Sequence, residues 1–416
     1  MAKKQKRATP EQVPTKRQVS KWQRQMKIRR IVIIAAVVFL VGISSWVGYG
    51  YYQDYRASTA AWREVMIEVN GVPFNMEYFV KTLDAYTKSI NSTILQYYGS
   101  YFANLVADNI IDAELIRQGA KEELGIEVSA QEISAELEEQ GFPNNRIYQD
   151  IVRTVLLEEK VKEEYFGPTV GNTTLQAHVE AMLVESEEVA TQLIAEIEAG
   201  ANFTAFVGVY SCNSSVKGDL GWLPEELMPN VLIADAAFNF TPGETGSIHD
   251  EAAIKDVGYW LIKVTGKQDN KIDAVVMLLG SEAEAEQIRA EVAAGGNFSA
   301  LAQQYSQHES KSKGGNITGL KPGDMGSAIF DQAAFNATIN IVSDPVKDKF
   351  YKTAGGYWLV RVLERGEHEL TEETRDDLID KRYNDWRQEF AGKSTIKTYL
   401  EASKISWAVN KVLEDR

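Results

Sequence analysis

Residues 200–211 read GANFTAFVGVYS, and 95 residues later GGNFSALAQQYS occupies 295–306. DAAFN (235–239) returns as QAAFN (332–336), and VGYWLIKV (257–264) as GGYWLVRV (355–362). Three blocks repeated in the same order mean two copies of one domain of about 95 residues, a length at which a chain can bury a core of its own. Each copy reads as strand, helix, Gly-rich loop, short helix, strand, strand. The last two strands are only a turn apart, so the expected class is α+β with antiparallel pairing.

Charge divides the chain differently. Within residues 1–30 there are eleven Lys/Arg and one acid, Glu11, so this segment carries +10 and the remainder −25. Between them, IVIIAAVVFLVGISSWVGYGYY (31–52) runs for 22 residues without a charge. At about 1.5 Å per residue such a helix spans a hydrocarbon core of roughly 30 Å. Trp46, Tyr49, Tyr51 and Tyr52 gather at its far end, as interfacial aromatics do. The positive flank belongs in the cytoplasm, so residues 53–416 are expected outside the cytoplasmic membrane. A cleaved signal would be shorter and followed by a small-x-small site, which Trp46-Val47-Gly48-Tyr49-Gly50 does not offer.

The next stretch reads as helical. Val65, Ile67 and Val69 alternate with polar neighbours as a short strand closed by Asn70-Gly71. Asn75 is placed to cap a helix from Met76, and a long aromatic-rich helix is expected from about Ser92 to Leu124, ended by Gly125. Ser129 and Glu132 form a capping box. The C-terminal segment also reads helical, with Leu378, Tyr383, Trp386 and Phe390 on one face. Whether it packs on the second repeat or returns to the first helical domain stays open.

VADNIIDAELIRQGAKEELGIEVSAQEI (106–133) resembles the N-terminal peptide-binding domain of the SurA/PrsA class of extracytoplasmic chaperones. The repeats resemble parvulin-type (PpiC, rotamase) peptidyl-prolyl isomerases. The first copy offers AMLVESEEVA (181–190), YSCN (210–213), GDLGW (218–222), Met228, AAF (236–238), PGE (242–244) and GYW (258–260). The second offers VMLLGSEAEA (276–285), YSQH (305–308), GGNITG (314–319), Met325, AAF (333–335) and GYW (356–358). The resemblance implies an α+β chain built in order: a basic cytoplasmic tail (1–30), a transmembrane signal anchor (31–52), a helical SurA-N-like peptide-binding domain (56–174), tandem parvulin-like domains (175–268 and 271–367), and a C-terminal helical segment (368–416). In the resembled class a C-terminal helix completes the N-terminal domain.

Prolyl isomerisation twists an amide against a resonance barrier of roughly 18–20 kcal/mol and breaks no covalent bond. A catalyst must favour the twisted amide over the planar one, with an apolar pocket for the ring and positioned polar groups. In parvulins the pocket comes from Met and Phe and the polar set from two histidines with an Asp or Cys. Here Met228 and Phe238, Met325 and Phe335 keep the pocket, while Ala181 and Val276 replace the opening histidine and Trp260 and Trp358 the closing one. Asn213 (or Cys212) and His308 stand at the Asp/Cys position. His178 lies three residues before Ala181, an odd separation that points it to the opposite strand face. Leu183, Met228, Phe238 and Trp260 are expected to line one peptide groove, and Leu278, Met325, Phe335 and Trp358 the other, the tryptophans stacking on a proline or aromatic ligand. His308, Asn213 and Cys212 are the only catalytic candidates, His308 being expected in an exposed loop.

One cysteine and four scattered histidines exclude an internal disulfide and argue against a metal site; no cofactor is implied. The expected function is a chaperone or foldase, outside the cytoplasmic membrane, for unfolded or newly secreted polypeptides and their proline-containing segments, with a degenerate isomerase site. Nucleic acid is not an expected partner. The alternatives are an active peptidyl-prolyl isomerase and a scaffold of an envelope complex.

Overall fold

The computed structural model describes residues 59–416 apart from Lys217, together with Tyr49. The tail and the apolar span 31–52 therefore lie outside the described residues, apart from Tyr49. Among those that are described, no helix is long and apolar enough to cross a membrane. The chain forms two compact units, one running to Glu159 and joined by Arg387–Arg416, the other comprising Lys160–Trp386.

In the first unit β1 (Val65–Val69) and β2 (Val72–Asn75) form a hairpin over Asn70 and Gly71, both at positive φ as such two-residue turns require. The Asn75 side chain accepts the Tyr78 N–H and starts α1 (Met76–Thr87). Helix α2 (Ser92–Gly119) bends at Tyr98, continues as a wider turn over Ala120–Leu124, and ends on Gly125 in the left-handed conformation. The capping box of Ser129 and Glu132 opens α3 (Ala130–Glu139), and α4 (Arg146–Lys160) follows.

The end of the chain supplies the rest of this core. A short strand at Ile396–Thr398 pairs with β1, giving a three-stranded antiparallel sheet with β1 in the middle. The terminal helix Ala402–Glu414 buries Ile405, Ala408, Val409 and Val412 against Phe79, Leu83, Leu95 and Ala103. Gly99 on α2 makes the close approach possible, because a Cβ there would meet Val409 Cγ1 at 2.6 Å.

The second unit holds two four-stranded antiparallel sheets. Its strands are β3 (Thr173–Val184), β4 (Gly218–Pro224), β5 (Thr245–Lys255), β6 (Gly258–Gln268), β7 (Lys271–Leu279), β8 (Asn316–Leu320), β9 (Val346–Asp348) and β10 (Thr353–Glu369). One sheet has the order β4-β3-β10-β5 and the other β8-β7-β6-β9. One of the two inner strands of each sheet, β10 and β6 respectively, is thus the last strand of the other repeat. The strand pair expected to close each copy, β5 with β6 and β9 with β10, separates into different sheets.

Turn chemistry accounts for this exchange. Two residues connect β5 to β6 (Asp256, Val257) and two connect β6 to β7 (Asp269, Asn270). Two-residue hairpins want residues that tolerate positive φ, and Asp269 adopts φ 53°. Val257 is β-branched and buried, so it suits an extended crossover and not a tight turn. Hence β6 folds back on β7, from Gln268↔Lys271 to Tyr259↔Leu279, and β10 returns to fill the gap between β3 and β5. The near identity of VGYWLIKV and GGYWLVRV lets either strand fit either sheet.

Candidate functional site

Strand alternation sorts the residues of β3. Ala177, Val179, Ala181 and Leu183 face a cluster with Met228, Trp358, Val360 and the helix Val231–Asn239. Met182 and Val184 face the opposite side, against Leu193, Phe203 and Leu359. His178, three residues before Ala181, shares that opposite side and pairs with Asp219 at 2.8 Å, away from the Met228 cluster.

In the other sheet Leu278 and Val276 face Trp260, Met325, Phe330 and Ala334. The expected grouping of the apolar candidates is thereby corrected. Trp358 belongs with Leu183, Met228 and Phe238, and Trp260 with Leu278, Met325 and Phe335, because the strand that carries each tryptophan has changed sheets. Gly258 and Gly356, two residues before each tryptophan, lie close against Leu278 and Leu183 of their adopted sheets.

Each indole N–H is held by a carboxylate. Trp358 Nε1 donates to Asp250 Oδ2 at 2.8 Å, and Trp260 Nε1 to Asp348 Oδ2 at 3.1 Å. Asp348 is fully buried and its other oxygen accepts the Phe350 N–H at 2.9 Å. Burial opposes ionisation of Asp250. Hydrogen bonds from Trp358, from the backbone of Ala252 and Ala253 and from Asn230 outweigh it, holding the carboxyl below the usual range. Both acids went unnoticed in the sequence. The available signal was their common position, ten residues before the tryptophan of their own copy, although each bonds the tryptophan of the other.

The two pockets differ in how they are filled. Trp260 is fully buried, with Phe330 and Tyr351 at 4.9 Å and His308 at 5.1 Å between ring centroids, all edge-on. In the repeat register the first copy has Ile233, Ala253 and Asn213 at those three places, so Trp358 has no comparable aromatic cage from them. Of the eight apolar candidates only Phe238 and Phe335 are half-exposed; Leu183, Met228, Leu278, Met325 and the tryptophans are buried. Both tryptophan rings are buried, so neither fully presents a face to a ligand.

The polar candidates are not brought together. His308 is buried, contrary to the exposed loop expected of it, because its side chain folds back as the N-cap of the short helix Glu309–Lys313. Its Nδ1 accepts the Ser310 N–H, and burial lowers the imidazole pKa, favouring the neutral ring. Cys212 is buried among Val257, Tyr259 and Met277, and that burial pushes its thiol up to about 11, far from a nucleophile at neutral pH. Asn213 spends its side-chain oxygen on the Ser215 N–H. Among the described residues no group of acids, histidines and cysteine could hold a metal ion.

Residues 171–268 and 276–364 each match the PPIC-type PPIASE domain, and residues 19–180 match the SurA-like N-terminal domain. The chain is a SurA-like protein with two parvulin-type domains. It is 29% identical to the chaperone SurA of Dechloromonas aromatica over 237 residues, covering 50% of this chain and 52% of that one. With the chaperone SurA of Chromohalobacter salexigens the identity is 26% over 355 residues, 72% of this chain and 78% of the relative. The chain spans about half the length of the Dechloromonas protein. Among solved structures, PrsA from Bacillus subtilis shares 14% identity, covering 85% of this chain and 93% of its own, with a TM-score of 0.18. The two matched parvulin segments are contiguous in sequence, yet the last strand of the first, β6, sits in the sheet of the second.

Proposed function

We propose that this SurA-like protein is an extracytoplasmic folding factor that binds unfolded or newly secreted polypeptides, tethered to the cytoplasmic membrane by residues 31–52. The observation that carries the reading is on α2. Ser89–Ala107 contains no charge over 19 residues. Leu95, Gly99, Ala103 and Val106 of this stretch face the core, while Tyr97, Tyr98 and Tyr101 are 80%, 62% and 65% exposed, extended by Ile94 and Leu105. An exposed apolar stripe larger than packing requires marks a surface for a partner. Its lack of charge suits many different apolar chains, and several weak contacts on one tethered molecule add up.

Proline isomerisation is not part of the proposed activity, since tryptophans held by Asp250 and Asp348 stand where the parvulin mechanism needs a histidine. The test is light scattering of an aggregating unfolded client with full-length protein and a Tyr97→Ser, Tyr98→Ser, Tyr101→Ser variant. The expected result is strong suppression by the parent and at least a severalfold loss in the variant at unchanged Tm. Equal protection by both would sink the assignment of this surface. Indifference of the parent to generic unfolded chains, with tight binding of one envelope protein, would favour a scaffold.

A further inference from the structure

The module built on β7 is contiguous in sequence. All four of its strands lie between Gly258 and Asp348. The module built on β3 is not, because its strands come from 173–255 and 353–369. The second module is therefore an insertion between two neighbouring strands of the first, β5 and β10.

The ends of the insertion meet. Gly258 pairs with Asp348 across β6 and β9, and Lys255 pairs with Thr353 across β5 and β10. Paired strands lie about 5 Å apart. The inserted module, when folded, thus brings its two ends to the spacing that β5 and β10 need. Further bonds lock the junction: Thr353 Oγ1 donates to Val257 O at 2.6 Å, and the buried Lys255 Nζ donates to Gly280 O at 2.6 Å and Glu185 O at 3.2 Å.

We propose that the second module acts as the turn of the β5–β10 hairpin, so that the first-module pocket, with Trp358 on β10, depends on the folded state of the second. If the second module unfolds alone, residues 256–352 become a flexible loop that β5 and β10 must close, and the entropy of closure grows with loop length. If the first module opens alone, the second loses none of its strands and keeps its own ends paired. Openings of the second module therefore take the first with them, while the first opens by itself. Any ligand that stabilises the second module also holds the first pocket together, through linkage.

Hydrogen–deuterium exchange of the full-length chain, read by peptide mass, tests this with two matched core truncations. Phe330 in the second module and Ile233 in the first stand in equivalent places and are both fully buried. Ile233→Ala is expected to speed exchange at least tenfold in 173–184, 245–255 and 353–369 and to leave 258–279 unchanged. Phe330→Ala is expected to speed exchange in both sets. Loss of protection confined to 258–279 in Phe330→Ala would overturn the proposal, and so would equal loss in both modules for Ile233→Ala. If Phe330→Ala does not fold, the parent protein in low urea decides. The first partial opening should expose 353–369 with 258–279 still protected, and the reverse order overturns the dependence.

Discussion

Asp250 precedes Trp260 by ten residues yet accepts the indole N–H of Trp358, while Asp348, ten residues before Trp358, accepts that of Trp260. This reciprocal crossing makes each buried pocket the joint product of both repeats. Asp348→Ala would strip a partner from the fully buried Trp260 indole N–H and another from the part-buried Phe350 N–H. A buried donor left unpaired costs about 1–3 kcal/mol, and Asp348→Ala should destabilise the second unit by that order. Asp250 is half-exposed, so its alanine variant should cost less. Urea unfolding followed by tryptophan fluorescence distinguishes the two.

Isomerase activity should be absent or weak. Positioned proton donors and dipoles each contribute about 10² or more to enzymatic rates, and neither pocket has a histidine in the parvulin places. In a proline-limited refolding assay the full-length protein should leave the slow phase nearly unchanged. Met228→Ala with Met325→Ala should make no further difference. Robust acceleration abolished by that pair would establish a histidine-independent isomerase.

Gly99 should not tolerate a side chain. A Cβ at this position would meet Val409 Cγ1 at 2.6 Å and Cγ2 at 2.9 Å. Gly99→Ala is expected to cost about 1–3 kcal/mol, as overpacking of a tight contact does. Adding Val409→Ala should return part of it, giving a non-additive double-mutant cycle in denaturant unfolding.

His308 makes stability pH-dependent. Burial lowers its folded pKa below the ordinary value of about 6.5, so the unfolded chain takes up a proton first as pH falls. Its contribution is fully present above pH about 6.5 and is lost on the way down through the folded pKa. Glu180, whose carboxyl burial raises, works in the opposite sense. The difference between the parent and His308→Gln isolates the effect. Urea midpoints of the parent should fall more than those of the variant between pH 7 and 5.

Much of this molecule was readable from residues with local consequences. Asn75, Ser129 with Glu132, Asn70-Gly71 and Gly125 act on their own backbone within four residues, so the sequence alone placed the starts and ends of those helices and turns. The repeat announced two α+β modules with antiparallel sheets, because a domain's pattern is carried along the chain, but the pairing it suggested for the last two strands of each copy is not the one found. The parity of His178 against Ala181 followed from the pleat alone. What the sequence left undecided is which partner each closing strand takes, since VGYWLIKV and GGYWLVRV present nearly the same face to either sheet. The packed chain decided it through connections: Asp269-Asn270 forms a tight turn within one sheet, while Asp256-Val257 carries the chain from one sheet to the other. The burial of His308 and the Asp–Trp bonds are consequences of that choice between distant segments of comparable local fitness, which only their assembly in space could make.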